Sequence, residues 1–452
     1  MKKRYMLYAL LIAGLFVQGT QAQDTPANAL KNVTVHEADG SVTKSATIVW
    51  RNGVIEEVGK RVNIPFDAYV IDGGDSLHVY PGLIDGYAEW GSPEPPKDLK
   101  RLPNPGEPPY DRAGIQPERK PSELLKEDKS FEAATKAGFT TAALIPDGNM
   151  LPGQVEIFAV SPKNTENGLI HESIAFGGSF ESAPGGWTTG AYPSTLMGVM
   201  AKFRQTMFEA KALKQHMEYY QQNPEMTAPQ RDKVLETLFS LLDQSKPLYF
   251  VVDSKEDIER LFKLQDQFGF DVVIVSGKEA HAKADELNDR NIPVLASVDF
   301  TDAPEWYVKS KKKDDDKDDE DKKEEEEDKE KEELTEEEKN YRERQLAAWK
   351  AEVTNIKKLL DAGVQVGYAS NGMKLKDLNK KVKTLLDEGG LSENELLELM
   401  TLNTAGILGI DKAFGDIEKG KNASFSVFDK EMTEKKAKVL HSISNGEFYE
   451  FN

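Results

Sequence analysis

Six histidines and no cysteine are the raw material for chemistry in this chain of 452 residues. Without cysteine there is no disulfide, no thiolate metal ligand and no Cys nucleophile. No Gly-x-Ser-x-Gly elbow, Gly-rich phosphate loop or His-Glu-x-x-His pair occurs either. The histidines are scattered. His36, His78 and His441 fall in β-rich segments near the two ends, His171 in a predicted loop, His216 in a polar helix, and His281 in a helix shortly after Ser276. None is predicted at a strand end facing a common centre, so each reads as a surface or packing residue. Glu89, Asp253 and Glu279 are carboxylates from which an acid–base pair could be drawn. Spacing alone does not bring them together.

The elements that would position these residues have two textures. Val33-Thr34-Val35, Ala46 to Trp50 and Val54 to Val58 are β-rich, and Arg51-Asn52-Gly53 between the last two predicts a hairpin, because Asn and Gly accept positive φ at little cost. Ser424 to Phe428 and Val439 to Ile443 repeat the texture, with Ser444-Asn445-Gly446 as another turn. Two such segments at opposite ends predict one small β-sandwich, residues 23–80 together with 415–452. Between them, residues 81–414 alternate short apolar strands with helical stretches. Thr140 to Ile145, Leu248 to Val252, Val272 to Val275, Pro293 to Ala296 and Val364 to Ala369 are the clearest strands. This rhythm predicts a parallel sheet, and its length suits a (β/α)8 TIM-type barrel.

Lys2-Lys3-Arg4, the apolar run Tyr5 to Val17 and the small residues of Thr20-Gln21-Ala22 read as a secretory signal peptide over residues 1–22. The expected product is exported, periplasmic or extracellular, and soluble. Glu94 to Pro121 predicts a long loop over the barrel mouth. Residues 309–340 form a charged low-complexity insertion; Lys309 to Lys339 alone holds 10 Lys and 18 Asp/Glu. It has no apolar face to bury. The whole chain carries a formal charge of -20, which argues against nucleic acid and anionic membranes as partners.

Val79-Tyr80-Pro81-Gly82-Leu83-Ile84-Asp85-Gly86 resembles the barrel opening of amidohydrolases close to imidazolonepropionase. Ala137-Gly138-Phe139-Thr140-Thr141, Leu402-Asn403-Thr404-Ala405-Gly406-Ile407-Leu408-Gly409 and Gly415-Asp416-Ile417-Glu418-Lys419-Gly420-Lys421-Asn422-Ala423 resemble later framework segments of that family, in the same order. Leu151-Pro152-Gly153-Gln154 resembles another, with a structural role expected. The resemblance implies a barrel joined to a sandwich, and hydrolysis of C–N bonds by water bound to one or two divalent metals. It also implies metal ligands at fixed strand ends, and here every matched position differs. Tyr87 and Glu89 stand where the family has two His after the first strand. Val251 stands at the His of the fifth strand, Ser276 at that of the sixth, and Asn371 at the Asp that ends the eighth. Val251 cannot ligate, and an amide cannot act as a base at neutral pH. Only Glu89, with Asp253 two residues beyond Val251, keeps ligand character.

Three functions are therefore expected in competition. The first is a non-catalytic barrel that binds a ligand through Tyr87, Glu89, Ser276 and Asn371, without cofactor. It would stand alone, as a homo-oligomer, or as partner subunit of an active amidohydrolase paralogue. The second is a hydrolase with an atypical Zn or Fe site around Glu89 and Asp253. The third is a scaffold or cation buffer acting through the charged insertion.

Overall fold

The computed structural model describes residues 25–96, 99–163, 165–315 and 334–451. The predicted signal peptide and most of the charged insertion lie outside these residues.

Among the described residues, sixteen strands follow one another. The first five are β1 (Asn28–His36), β2 (Val42–Arg51), β3 (Val54–Gly59), β4 (Tyr69–Asp72) and β5 (His78–Pro81). The next eight are β6 (Leu83–Ala88), β7 (Phe139–Leu144), β8 (Gln154–Ala159), β9 (Leu169–Ser179), β10 (Leu248–Val252), β11 (Val272–Ser276), β12 (Val294–Ser297) and β13 (Val366–Ala369). The last three are β14 (Phe425–Phe428), β15 (Val439–Ser444) and β16 (Glu447–Glu450).

The terminal strands make one folded-over sheet in the order β16-β15-β14-β5-β1-β2-β3, with β4 also on β1. Chain end meets chain start where β14 pairs antiparallel with β5. The fold closes over Leu30, Ile48, Trp50, Phe425, Val427 and Ile443, all fully or almost fully buried. The ring of Trp50 meets that of Phe425 edge-on at 5.3 Å. Both predicted turns are present: Asn52 and Gly53 have φ of 52° and 78°, and Asn445 and Gly446 have 50° and 84°. Two positive φ values in a row match the right-handed twist of the flanking strands.

The central strands form the barrel, in the order β6 to β13. It closes at the mouth, where the Ser370 N–H donates to Asp85 Oδ1 at 3.0 Å and the Asn371 N–H to the Tyr87 carbonyl at 3.1 Å. The strands differ from the expected all-parallel set at one place. β8 runs antiparallel to both β7 and β9. Its connections, 145–153 and 160–168, are too short for a helical crossover, so the chain turns back as hairpins. His171, expected in a loop, is consequently in β9, paired with Ile157.

The barrel interior is filled by Ile84, Tyr87, Val155, Tyr249, Val273, Val275 and Leu295. Its lower end is plugged by Ala405, Leu408, Ile410 and Phe414, and the Tyr249 hydroxyl donates to the Ile407 carbonyl at 3.3 Å. The framework motifs now have physical reasons. A Cβ on Gly82 would fall 1.9 Å from Thr140 Oγ1, and one on Gly367 would fall 2.8 Å from Thr404 Oγ1. Thr404 Oγ1 also accepts from the Tyr368 N–H at 2.8 Å, and Asp416 Oδ1 from the Ala38 N–H at 3.0 Å. Gln154 takes a structural place too, opening β8 and accepting from the Ser173 hydroxyl.

The charged insertion leaves the barrel between β12 and β13. Its described ends are the helices Glu305–Asp315 and Glu336–Val353. They rest on aromatic contacts: the rings of Tyr307 and Trp349 lie 5.5 Å apart, and the Trp306 indole donates to Gln345 Oε1 at 3.0 Å.

Candidate functional site at the barrel mouth

The mouth is made by the carboxyl ends of the parallel strands, the end of such barrels from which loops present side chains. β6 and the residue after it supply Asp85, Tyr87 and Glu89, and the three have different fates. Asp85 is fully buried. Its Oδ1 accepts from the Tyr87 and Ser370 N–H groups at 3.1 and 3.0 Å, while Oδ2 has no partner. Burial pushes its carboxyl up to about 7, against the lowering effect of the Ser370 and Tyr87 bonds. It is a structural clasp between β6 and β13.

Tyr87 is 2% exposed and packs among the interior residues. Its hydroxyl lies against β9, where a Cβ on Gly177 would come 3.0 Å from it. Among the described residues no group hydrogen-bonds to that hydroxyl. Burial, then the charges of Glu89, Glu181 and Asp147, hold the phenol well above its ordinary range. Glu89 stands just beyond β6 and reaches water through the mouth. It is still set deep enough that desolvation, then Asp147 and Glu181, raise its carboxyl to about 7.

Asp147 and Glu181 have no signature in the sequence, because they follow β7 and β9 in loops of no regular spacing. Hydrogen bonds gather these loops beside Glu89. The Ile145 N–H donates to the Ala88 carbonyl at 3.0 Å, the Asp147 N–H to Ser92 Oγ at 2.7 Å, and the Ser179 N–H to the Met150 carbonyl at 3.0 Å. Asn149 Nδ2 donates to Glu181 Oε2 at 3.2 Å. Arg119, from the predicted mouth loop, donates to the Asp147 and Pro152 carbonyls at 2.9 and 3.3 Å. Asp147 is raised by burial, against the lowering effect of Arg119, and Glu181 is raised by burial and by Asp147.

The remaining predicted positions do not join this group. Val251 is half-buried and packs against the barrel interior. Asp253 is exposed, 3.9 Å from Lys278, just beyond the end of β10, a strand across the barrel from β6. Ser276 is completely buried, with a φ of 74° and no partner for Oγ; its registered neighbours Val252 and Ala296 pack in the outer layer. Asn371 has a φ of 42° and precedes Gly372 at 80°, so its residue type answers a tight turn closed by the Met373 N–H on the Ser370 carbonyl. Glu279 caps a different corner, accepting from the Lys255 N–H at 3.2 Å.

The histidines lie elsewhere. His36 stacks on Tyr80 and shares a 2.9 Å contact with His78 in the terminal sheet; burial, then His78, lowers it to about 4. His281 Nδ1 lies 3.0 Å from Asn355 Oδ1, and His216 Nε2 lies 3.1 Å from the Thr227 carbonyl. The test for a metal is therefore one of donors. Of the five matched positions, one bears a carboxylate, and Val251 bears no donor at all. Among the described residues no three His, Cys, Asp or Glu side chains converge to hold an ion. The donor set does not fit the family's metal centre.

Residues 334–448 match the model of the amidohydrolase family. No curated protein matches the chain. Among solved structures, an amidohydrolase from Thermotoga maritima MSB8 superposes with a TM-score of 0.73 at 21% identity, covering 94% of this chain and 100% of that one. A prolidase complexed with N-methylphosphonate-L-proline gives a TM-score of 0.52 at 13% identity, covering 94% and 100%. At such identities the likeness is one of fold.

Proposed function

We propose that this chain, which has the amidohydrolase fold and matches the family model over residues 334–448, is an exported ligand-binding protein without the family's metal-based hydrolysis. One observation carries the reading: the strand ends where the family resemblance places metal ligands hold Tyr87, Glu89, Val251, Ser276 and Asn371, a set with one carboxylate and no imidazole. The framework around them is retained, from the Gly82–Thr140 contact to the Thr404 bond on Tyr368. A barrel can keep its packing after losing its ligands, because the ligands sit in the mouth while the packing residues lie in the interior and the helix layer. The reading also accommodates a role as partner subunit of an active amidohydrolase. Export rests on the predicted signal peptide.

The test is elemental analysis of the purified mature chain, with assays on N-acyl amino acids, dipeptides and cyclic amides, with and without added Zn or Fe. The expected result is no stoichiometric metal and no turnover. Bound Zn or Fe that is lost in Glu89→Gln, together with metal-dependent hydrolysis, would overturn it. That outcome would favour a hydrolase built around Glu89 and Asp253, which no contact among the described residues supports, since Asp253 lies beside Lys278 instead.

A further inference from the structure

The mouth concentrates negative charge on one side. Glu89, Asp147 and Glu181 come from the ends of three strands whose loops are stitched together by the bonds described above. Beneath them lies the Tyr87 hydroxyl, on a side chain 2% exposed, with no hydrogen-bond partner among the described residues. The ring is enclosed, but the hydroxyl oxygen is not among the buried polar atoms that lack a partner, so it keeps contact with solvent at the mouth. Three carboxylates gathered on one side of the mouth repel one another. A guest that is cationic and donates hydrogen bonds would relieve that repulsion and also pair with the hydroxyl. We propose that Glu89, Asp147 and Glu181 with Tyr87 bind an organic cation, an ammonium or guanidinium group of a small ligand. This rests on the reading of the barrel as a binding protein and names the ligand class for the same mouth.

The alternative of a metal ion is disfavoured by geometry. A Zn or Ca ion needs its oxygens about 2.0–2.6 Å away, converging on a point, and these side chains do not form such a group. An ammonium or guanidinium spreads several N–H donors over a wider span, at hydrogen-bond distances of about 2.7–2.9 Å to each carboxylate. The other charged groups leave the balance negative. Arg119 faces Asp147, but it is turned to the Asp147 and Pro152 carbonyls, and Glu118 and Glu94 add negative charge around that pair. Across the mouth, Lys278 is already set against Asp253.

The experiment is calorimetric titration of the mature chain with cadaverine and agmatine, against 1,5-pentanediol and glutarate as neutral and anionic controls of similar length. The expected result is 1:1 binding of the two cations, with neither control binding. Glu89→Gln and Glu181→Gln should each weaken binding about tenfold or more, the size of one lost charge-assisted bond. Tyr87→Phe should weaken it several-fold. Binding should weaken as pH falls from 8 to about 5.5, by no more than about tenfold per pH unit, as Glu89 takes up a proton. The variants are checked for folding by their unfolding midpoints, which for Glu89→Gln should stay level or rise, since the change removes repulsion.

The inference is overturned if glutarate or pentanediol binds as well as the diamine, or if the two Gln variants bind cadaverine unchanged. It is also overturned if no cation binds at pH 8 up to about 10 mM. These outcomes are separable from failure of the proposed function. A metal-free, inactive chain that prefers glutarate sinks only the cation assignment. A chain that retains Zn and hydrolyses amides sinks the non-catalytic reading whatever it binds.

Discussion

Replacing Asp85 by Asn should change how the stability of this protein depends on pH. The carboxyl is fully buried, and burial raises it from 3.8 to about 7. Below about pH 4 both folded and unfolded chains hold the proton and the group contributes no slope. Between about pH 4 and 7 the unfolded chain has lost the proton and the folded one keeps it, so rising pH favours unfolding. Above 7 both are ionised and the slope vanishes. A shift of about three pH units at ~1.4 kcal/mol each gives about 4 kcal/mol lost over that window. In Asp85→Asn the amide oxygen can still accept from the Tyr87 and Ser370 N–H groups. Its NH2 would occupy the place of Oδ2, which has no partner, at a pH-independent cost of about 1–3 kcal/mol. The difference between the two proteins is therefore the informative quantity. Urea unfolding at pH 4, 5, 6, 7 and 8 should show the wild type losing about 4 kcal/mol relative to the variant, most steeply between 4 and 7. Parallel pH profiles would refute the argument, because they would mean that Asp85 ionises alike in both states.

Three further outcomes are expected. Asn371→Ala should cost about 1–2 kcal/mol, because its φ of 42° penalises a Cβ without a locally bonding side chain, whereas Asn371→Gly should be near neutral by the same unfolding assay. Trp50→Ala should cost about 3–5 kcal/mol by opening a cavity against Phe425, read as a lower urea midpoint. Prolonged dialysis against EDTA should leave the thermal midpoint of the mature chain unchanged; a drop would point to a bound structural or catalytic metal.

Much of the fold was legible because its signals are local. Asn52-Gly53 and Asn445-Gly446 specify their turns through backbone freedom alone, and both turns formed. Pro81-Gly82 and Thr140-Thr141 announced the first two barrel strands, which touch at those residues. β8 was not legible as antiparallel, because strand direction depends on connection length and not on any residue type. With it went β9, and so the true place of His171. At the mouth, Tyr87 and Glu89 were reachable through strand alternation and motif order. Asp147 and Glu181 were not, since loops bring them in and only hydrogen bonds to Ala88, Ser92 and Met150 fix where they arrive. The one usable hint was that Asp147 closely follows the predicted strand ending at Ile145. At Asn371 a second demand on the residue came to light that no spacing announces: the turn it makes with Gly372.

The pairing of β5 with β14 sets a timetable as well as a shape. The backbone edge of β5 cannot be covered until nearly the whole chain has been made, because its partner begins at Phe425. Until then Val79, which the terminal sheet buries completely, lies along an open strand edge, the kind of surface on which chains aggregate. A ribosome-bound or prematurely ended copy is thus a different object from the finished protein. It has most of the residues of a barrel but lacks the three strands that complete the terminal sheet, and it depends on whatever keeps unfinished chains apart.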